Sequence, residues 1–244
     1  MIEIKNIAHS YLSEQGEIRV FENFSCTLAE NELTAVIGPS GCGKSTLLRL
    51  IAGLETPRSG MIAVNGVKPI PGMNDTAMVF QHHALFPWMK TVDNVLFGVK
   101  SGSKKEQFTK AMDLLDRFGL ADFAKRMPHE LSGGMAQRVS IARSLANSPK
   151  ILLMDEPFSA LDEKLRRELQ DELLSIRSEM NLTIIYVTHS IDEAIYLADR
   201  SVVITHRPAQ IAGDLEIALE HPRDRSSEQF ESQVIALRRH LMTM

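Results

Sequence analysis

The sequence has 244 residues, enough for one large domain or for one domain with an inserted lobe. Its hydrophobic fraction of 44% is ordinary for a soluble globular protein, and its net charge of −4 gives no electrostatic case for a nucleic-acid partner. Cys26 and Cys42 form neither a metal-ligand spacing nor a disulfide framework, which favours a reducing compartment. Neither a secretory signal nor a membrane span is predicted, so any work at a membrane requires spans from other subunits.

The N-terminal part of the chain is predicted to contain short strands and one helix. The strands are "MIEIKNI", "EIRVFENFSCTL" and the buried "LTAVI" at 33–37. The helix "STLLRLIAGL" follows with a broad apolar face, and Asn65-Gly66 marks a turn within the hairpin-like stretch "GMIAVNGVKPI".

From about residue 98 to residue 146 the pattern becomes helical. Ser103 and Glu106 in "SKKE" predict a capping box at the start of one helix. The stretch "LSGGMAQRVSIARSLA" at 131–146 predicts an amphipathic helix that begins behind Ser132. These helices indicate a helical lobe inserted into an α/β domain.

After Pro149 strands and helices alternate again. The apolar strands are "ILLM" at 151–154, "LTIIYV" at 182–187 and "SVVITH", and the helices between them begin at Asp162 and in "SIDEAIYLAD". Ser190 and Glu193 predict a second capping box there. Because strands alternate with helices, the sequence predicts a doubly wound, mostly parallel sheet.

The stretch "GPSGCGKS" at 38–45 matches a phosphate-binding loop between a predicted strand and a predicted helix. Its glycines let successive backbone N–H groups face phosphate oxygens at a helix N-terminus. Lys44 is expected to reach the β- and γ-phosphates and Ser45 to ligate Mg²⁺. The alternative is a glycine-rich turn that only caps a helix. Cys42 sits where a helix start favours a thiolate, but we interpret it as a small residue that fits the loop.

Acidic side chains follow the buried strand "ILLM". Ligands bind beyond the carboxyl ends of strands in such sheets, so Asp155 is expected to hold Mg²⁺ and Glu156 to reach the attacking water. The alternative is an acidic pair that begins a turn. His189 ends another strand at the same edge, where it either donates to the γ-phosphate or is structural.

Two further candidates are single residues outside these motifs. Gln81 follows the strand-like "TAMVF", and a glutamine there is able to bridge Mg²⁺ and the water. Tyr11 lies near a predicted strand and either stacks on a base or packs internally.

These motifs, in this order, resemble those of the nucleotide-binding subunit of ABC transporters over nearly the whole chain. "GPSGCGKST" resembles Walker A, "ILLMDE" Walker B, "LSGGM" the family signature, "SALD" at 159–162 the D-loop and "VTHS" the switch histidine. The resemblance implies an α/β P-loop NTPase fold with a RecA-like, mostly parallel sheet core, an N-terminal antiparallel β subdomain and an inserted helical subdomain. Within one ATPase domain, residues 1–97 and 147–220 are expected to form the core with the β subdomain, 98–146 the helical subdomain and 221–244 a C-terminal tail.

The resemblance also implies roles for single residues. Two copies of the chain are expected to form a head-to-tail homodimer that binds each ATP between the Walker A motif of one copy and the signature of the other. Glu156 is implied as general base, His189 as γ-phosphate sensor and Gln81 as a further catalytic residue, with Ser45, Gln81 and Asp155 as Mg²⁺ ligands. The residues implied to contact ATP or to communicate across the dimer are Tyr11, Gly38, Pro39, Ser40, Gly41, Cys42, Gly43, Lys44, Ser45, Thr46, Ser132, Gly133, Gly134 and Asp162.

The sequence departs from the family pattern at three positions. Met135 stands where a glutamine is usual, which puts that side chain's contact in doubt. Ser190 replaces an aspartate, and both are good N-caps. Asn31 replaces a glycine, and asparagine tolerates a left-handed turn.

"LFPW" and "HPRDR" are similar to the nitrate/sulfonate/taurine importer group, although pyrimidine-precursor importers have similar ATPases. The resemblance implies membrane permease subunits, an indirect solute-binding protein (periplasmic or lipoprotein) and a peripheral location at the cytoplasmic face of the membrane. The segment "HHALFPWMKTVDNVLFG" either receives the permease or packs internally. A soluble ABC ATPase of DNA repair or translation would carry a long coiled coil, and a phosphate-loop kinase would not need "LSGGM".

Overall fold

The structure is a computed structural model that describes residues 1–14, 16–73, 75–97, 99 and 101–242. The chain divides into two compact units, residues 1–73 with 183–244, and residues 74–182. The predicted subdomain boundary at residue 98 and the last two residues of the predicted tail lie outside the described residues. No helix within the described ranges is long and apolar enough to cross a membrane.

The helices and strands follow one another in the predicted α/β order. The first unit begins with β1 (Ile2–Ser13), β2 (Gly16–Leu28), β3 (Leu33–Ile37), α1 (Lys44–Ile51) and β4 (Ser59–Val64). The second unit contains β5 (Thr76–Val79), α2 (Thr91–Leu96), α3 (Lys104–Arg117), α4 (Gly133–Leu145), β6 (Ile151–Asp155) and α5 (Glu163–Met180), with 3₁₀ turns at Ala121–Phe123 and Pro128–Glu130. The first unit then resumes with β7 (Thr183–Thr188), α6 (Ile191–Leu197), β8 (Arg200–Ile204), β9 (Ile211–Glu216) and α7 (Glu228–Met242).

The first unit contains an antiparallel sheet of three strands in the order β2-β1-β4. Ile2, Ile4 and Ile7 of β1 are buried, as expected for the inner face of a half-exposed sheet. Asn65 and Gly66 turn the chain after β4 with φ values of 50° and 77°. The expected hairpin is short. Among the described residues, the chain after the turn pairs with β4 only through the isolated bridge between Val64 and Val67.

A second sheet in the first unit has the order β7-β3-β8-β9. β3 is parallel to both β7 and β8, and every residue of β3 and β7 is buried, which explains their unbroken apolar sequences. Asn31 enters this sheet with φ 58°, so the left-handed turn predicted for it is confirmed. β9 runs antiparallel to β8 and was not predicted from the sequence.

Helix α6 is held at both ends. Ser190 Oγ accepts a hydrogen bond from the Glu193 N–H, which is one half of the predicted capping box. The other half is replaced, because the Ser190 N–H donates to Thr188 Oγ1 while the Glu193 carboxylate accepts from Thr188 Oγ1 (2.7 Å) and the Tyr186 hydroxyl (3.0 Å). At the other end the buried Arg223 guanidinium, from "HPRDR", donates to three carbonyls near the helix C-terminus. These are the carbonyls of Ile195 (2.6 Å), Tyr196 (3.4 Å) and Ala198 (2.6 Å).

The second unit contains the parallel pair β5 and β6, and α4 packs against β5. The capping box of Ser103 and Glu106 at the start of α3 is confirmed. Helix α4 begins behind Ser132, as predicted, but the prediction of a one-sided amphipathic pattern is wrong. Residues on almost every side of α4 are buried, since the helix packs within the unit: Ala136, Gln137, Val139, Ser140, Ile141, Ala142, Ser144 and Leu145.

Candidate functional site

The glycine-rich loop 38–43 joins β3 to α1 and has a backbone that only glycine fits at two positions. A Cβ atom on Gly38 would lie 2.5 Å from the Ile204 carbonyl oxygen. Gly43 has φ 125°, and a Cβ atom there would lie 2.6 Å from Val20 Cγ1. Gly43 is the N-cap of α1 and gives it no side-chain cap, and the first turn of α1 contains no acidic residue. The start of α1 therefore leaves N–H groups for an anion, as the phosphate-loop prediction requires.

Lys44 is buried to 6% exposure, and its ammonium group faces the phosphate loop itself. Nζ donates to the carbonyl oxygens of Gly38 (2.7 Å) and Pro39 (2.9 Å). These bonds place the positive charge within the curve of the loop. A phosphate that enters the loop therefore meets an ammonium group already held in position.

The remaining residues of the loop differ in exposure. Ser40 and Gly41 are exposed, Ser45 is half-buried, and Cys42 and Thr46 are buried. Burial raises the pKa of the Cys42 thiol, against a smaller lowering by Lys44. The idea that the helix start favours a thiolate at Cys42 is therefore wrong, and the interpretation as a small residue that fits the loop agrees with its 1% exposure.

His189 follows β7 at the same sheet edge as the phosphate loop. In the parallel pair of β3 and β7, Ile37 lies opposite Thr188, so the next residues, Gly38 and His189, leave neighbouring strands side by side. His189 is exposed, and α6 begins immediately after it. His189 and the phosphate loop thus share one sheet edge, and the γ-phosphate role of His189 stays a prediction.

Tyr11 lies near the end of β1, and its hydroxyl connects it to the phosphate-loop helix. The hydroxyl donates to Glu55 Oε2 (2.6 Å) and lies 3.2 Å from Thr46 Oγ1. The ring is half-buried rather than part of the core. Glu55 was not recognised in the sequence as a candidate site residue.

In the second unit, Gln81, Asp155 and Glu156 leave neighbouring strands at one edge. Val79 of β5 lies opposite Met154 of β6, so Gln81 and the two acidic residues all come within two residues of that pair. Asp155 is buried to 5% exposure, Glu156 is half-buried and Gln81 is exposed. Glu156 has φ 44°, an uncommon backbone conformation for a glutamate that is often found at functional sites.

The signature motif and the D-loop are neighbours within the second unit. Ser132 Oγ caps α4 by accepting from the Met135 N–H (3.3 Å), which leaves the N–H groups of the exposed Gly133 and of Gly134 at the helix start. A Cβ atom on Gly134 would lie 2.8 Å from Leu161 Cδ2 of the D-loop, so a larger residue there would require the Leu161 side chain to shift. Asp162 caps α5 by accepting from the Leu165 N–H (3.0 Å).

Helix α4 also holds the loop that contains Gln81, through two side chains that the sequence analysis missed. Gln137 Nε2 donates to the Phe80 carbonyl (3.3 Å), one residue before Gln81. Arg143 Nη1 donates to the Ala84 carbonyl (2.9 Å), and its guanidinium lies 5.6 Å from the centre of the Phe86 ring.

An aromatic surface follows this loop. The Phe86 ring lies 5.6 Å from Trp88 and 4.3 Å from Phe97, between ring centroids. Trp88 is 71% exposed and Phe97 52% exposed, whereas Leu85, Phe86 and Met89 are half-buried. Some residues of this segment therefore pack internally and others face outward, and the permease contact stays a prediction.

Arg207 is a further residue that the sequence analysis did not identify. Its Nε donates to the Gly41 carbonyl from the loop after β8, so a guanidinium lies directly beside the phosphate loop. Only the fold brings these two residues together, since they are 166 positions apart.

Comparisons with known proteins agree with this geometry. The ABC transporter family profile matches residues 21–159. An uncharacterized ABC transporter ATP-binding protein of Methanocaldococcus jannaschii is 45% identical over 94% of this chain and 86% of its own length. The nitrate import ATP-binding protein NrtD of Synechocystis is 44% identical (92% of this chain, 87% of its own), and the aliphatic sulfonates import ATP-binding protein SsuB of Bacillus cereus is 40% identical (94% and 91%).

Solved structures show the same fold. A dimeric bacterial ABC transporter cassette matches with a TM-score of 0.83 and 30% identity, over 90% of this chain and 100% of that one. A dimeric post-hydrolysis state of an ATP-binding cassette, bound to ADP and Pi, matches with a TM-score of 0.81 and the same identity and coverage. The phosphate-loop geometry, the matched residues and these relatives lead to one conclusion: the chain belongs to the ABC transporter family and is an ATP-binding subunit that hydrolyses ATP.

Proposed function

We propose that this ATPase energises the import of a small anion, of the sulfonate, taurine or nitrate type, through separate permease subunits at the cytoplasmic face of the membrane. The names of NrtD and SsuB, at 44% and 40% identity, support this class of solute. A solute-binding protein is part of the proposal, although it would not contact this chain directly.

The observation that carries the homodimer in this proposal is the presence of two helix starts suited to phosphate. Helix α1 begins behind Gly43 without a side-chain cap, and α4 begins behind Ser132 with two glycines in its first turn. A kinase needs only one phosphate-binding loop, so the second helix start requires a separate explanation. It is explained when α4 of one copy faces the γ-phosphate held by α1 of another copy in a head-to-tail homodimer.

The residues present fit ATP with Mg²⁺. Ser45, Gln81 and Asp155 offer a hydroxyl, an amide oxygen and a carboxylate, which are the oxygen donors that Mg²⁺ prefers. The ion would neutralise phosphate charge when bound. Lys44 and the loop N–H groups bind the phosphates, with Arg207 beside them, and Tyr11 stacks on the adenine.

The remaining side chains handle the water and its proton. Glu156 accepts the proton of the attacking water as general base, and Gln81 orients that water. His189 donates a hydrogen bond to the γ-phosphate and thereby favours the transition state in which negative charge redistributes. Asp162 connects this site to the second copy, through its position beside the signature motif.

The aromatic surface of Trp88 and Phe97 supports the permease contact. Trp88 is 71% exposed although its neighbour Phe86 is packed, and an exposed apolar surface next to Gln81 suits a partner subunit. A permease segment bound there would act on the loop that positions Gln81, which links solute transport to ATP hydrolysis.

The homodimer predicts how activity depends on protein concentration. At concentrations well below the dimer dissociation constant, ATPase activity per volume should rise with the square of the concentration of this chain, because only the dimer has a complete site. Steady-state phosphate release over a dilution series measures this. Activity that stays proportional to concentration throughout the series, in a protein that remains monomeric by light scattering, would contradict the sandwich.

The solute class predicts stimulation in a reconstituted transporter. Proteoliposomes that contain this chain, its permease subunits and the matching binding protein should show at least severalfold faster ATP hydrolysis when the correct anion is added. Taurine, an aliphatic sulfonate and nitrate are tested in parallel, with a pyrimidine precursor as the competing solute. Stimulation by the pyrimidine precursor alone would replace the anion assignment and leave the ATPase assignment standing.

A further inference from the structure

Five side chains of the first unit form a cluster next to the phosphate loop, which we call the Glu55 cluster: His9, Tyr11, Thr46, Arg49 and Glu55. Glu55 lies four residues after α1 ends, and its carboxylate is at the centre. One oxygen, Oε2, accepts from the Tyr11 hydroxyl (2.6 Å), and the other, Oε1, lies 3.5 Å from Arg49 Nη1.

The cluster connects the Tyr11 ring to α1 twice. Thr46 and Arg49 are both on α1, and Thr46 Oγ1 lies 3.2 Å from the Tyr11 hydroxyl. Thr46 is also the last residue of the Walker A motif and is 8% exposed. The ring is therefore anchored to the same helix whose N-terminus faces the phosphates.

His9 is the cluster residue that packs against the Tyr11 ring. Its ring packs edge-on against Tyr11, with centroids 5.0 Å apart and an angle of 85° between the planes. His9 Nε2 lies 3.1 Å from Glu55 Oε2, although without hydrogen-bond geometry. The Tyr11 side chain is therefore contacted by His9 at its ring and by Glu55 at its hydroxyl.

The hydroxyl of Tyr11 remains a proton donor in this setting. Burial raises the pKa of Tyr11, and its hydrogen bond to the Glu55 carboxylate raises the pKa further. A neutral phenol that donates to a carboxylate forms a charge-assisted bond, which is stronger than a bond between neutral groups.

We propose that Glu55 is a positioning residue for the nucleotide base. It holds the Tyr11 ring in place relative to the phosphate loop before ATP binds. This inference rests on the proposed function, in which Tyr11 stacks on the adenine. A ring that is already fixed loses less side-chain freedom when a base binds, so the cluster increases affinity for the base and not for the phosphates.

The test compares two ligands that share the phosphates and differ in the base. Isothermal titration calorimetry measures the affinities of ATP and of inorganic tripolyphosphate, both with Mg²⁺. The central variant is Tyr11→Phe, which keeps the ring and removes only the hydroxyl. Glu55→Ala removes the carboxylate, Glu55→Gln keeps an acceptor oxygen, and the double variant Tyr11→Phe/Glu55→Ala measures coupling.

We expect Tyr11→Phe and Glu55→Ala each to weaken ATP binding roughly five- to tenfold, since a ring that is no longer held in place must be ordered when the base binds. Tripolyphosphate affinity should stay within about twofold, the double variant should resemble the single ones, and Glu55→Gln should recover part of the loss. The matched control is Glu17→Gln. Glu17 is an acidic residue of the same antiparallel sheet that accepts from Ser10 Oγ (2.6 Å) and does not belong to the cluster.

Two results would overturn the inference. Equal losses for ATP and tripolyphosphate would show that Glu55 acts on the phosphate loop through Thr46 rather than on the base. Unchanged ATP affinity in Tyr11→Phe, with thermal melting confirming a folded protein, would show that the hydroxyl contact does not position the ring. If wild type binds neither ligand, the proposed ATP site itself is wrong, which is a different and separable failure.

Discussion

Replacement of Glu156 by glutamine is expected to lower ATP turnover by about 10²–10⁴-fold while ATP remains bound, because the general base is lost and the side-chain shape is kept. The backbone position of Glu156 favours its role as general base. Glu156 follows the buried end of β6 with φ 44°, so its side chain leaves the strand in a direction that an ordinary extended residue would not take. Single-turnover phosphate release measures the chemical step directly.

The same variant should accumulate as an ATP-bound dimer, since it binds nucleotide and does not hydrolyse it. Size-exclusion chromatography with light scattering, with and without ATP, detects that species. The control is Glu168→Gln, an exposed glutamate on α5 whose replacement should leave turnover within about twofold. Near wild-type hydrolysis by Glu156→Gln would assign the base to another residue.

Replacement of Lys44 by alanine is expected to weaken ATP binding by about 100-fold, which corresponds to about 2.7 kcal/mol. The variant loses a buried ammonium group that faces the phosphates and also leaves the Gly38 and Pro39 carbonyls without their donor, at 2.7 Å and 2.9 Å in the wild type. Titration with a fluorescent ATP analogue measures the loss.

The matched control for this variant is Lys68→Ala, at an exposed lysine of the same unit, which should bind the analogue like wild type. Circular dichroism separates loss of binding from loss of folding. Unchanged analogue binding in a folded Lys44→Ala protein would contradict the phosphate-loop assignment, whatever the turnover.

The features that were predicted correctly depend on residues close together in the sequence. Gly38, Gly43 and Lys44 lie within seven positions, and their pattern fixes a loop that has few other conformations. The helix starts at Ser103 and Ser132 depend on caps within one turn. Buried strands such as β3 and β7 are recognisable because both of their faces are apolar.

The missed features depend on contacts between distant residues. Glu55 bonds to Tyr11 across 44 positions, Gln137 to Phe80 across 57 and Arg143 to Ala84 across 59, and a single sequence does not record such pairs. β9 was missed because Gly213 and Asp214 interrupt its pattern and none of its residues is buried. The burial of α4 on nearly every side was missed because the polar residues Gln137, Ser140 and Ser144, at helical spacing, resemble an exposed face in the sequence although all three are buried.

That burial has a mechanical consequence. Because α4 is enclosed by its neighbours and bonded through Gln137 and Arg143 to the backbone on both sides of Gln81, we expect the helix and this loop to move together. A partner that displaces the loop at Trp88 would then be expected to shift the start of α4 behind Ser132 as well.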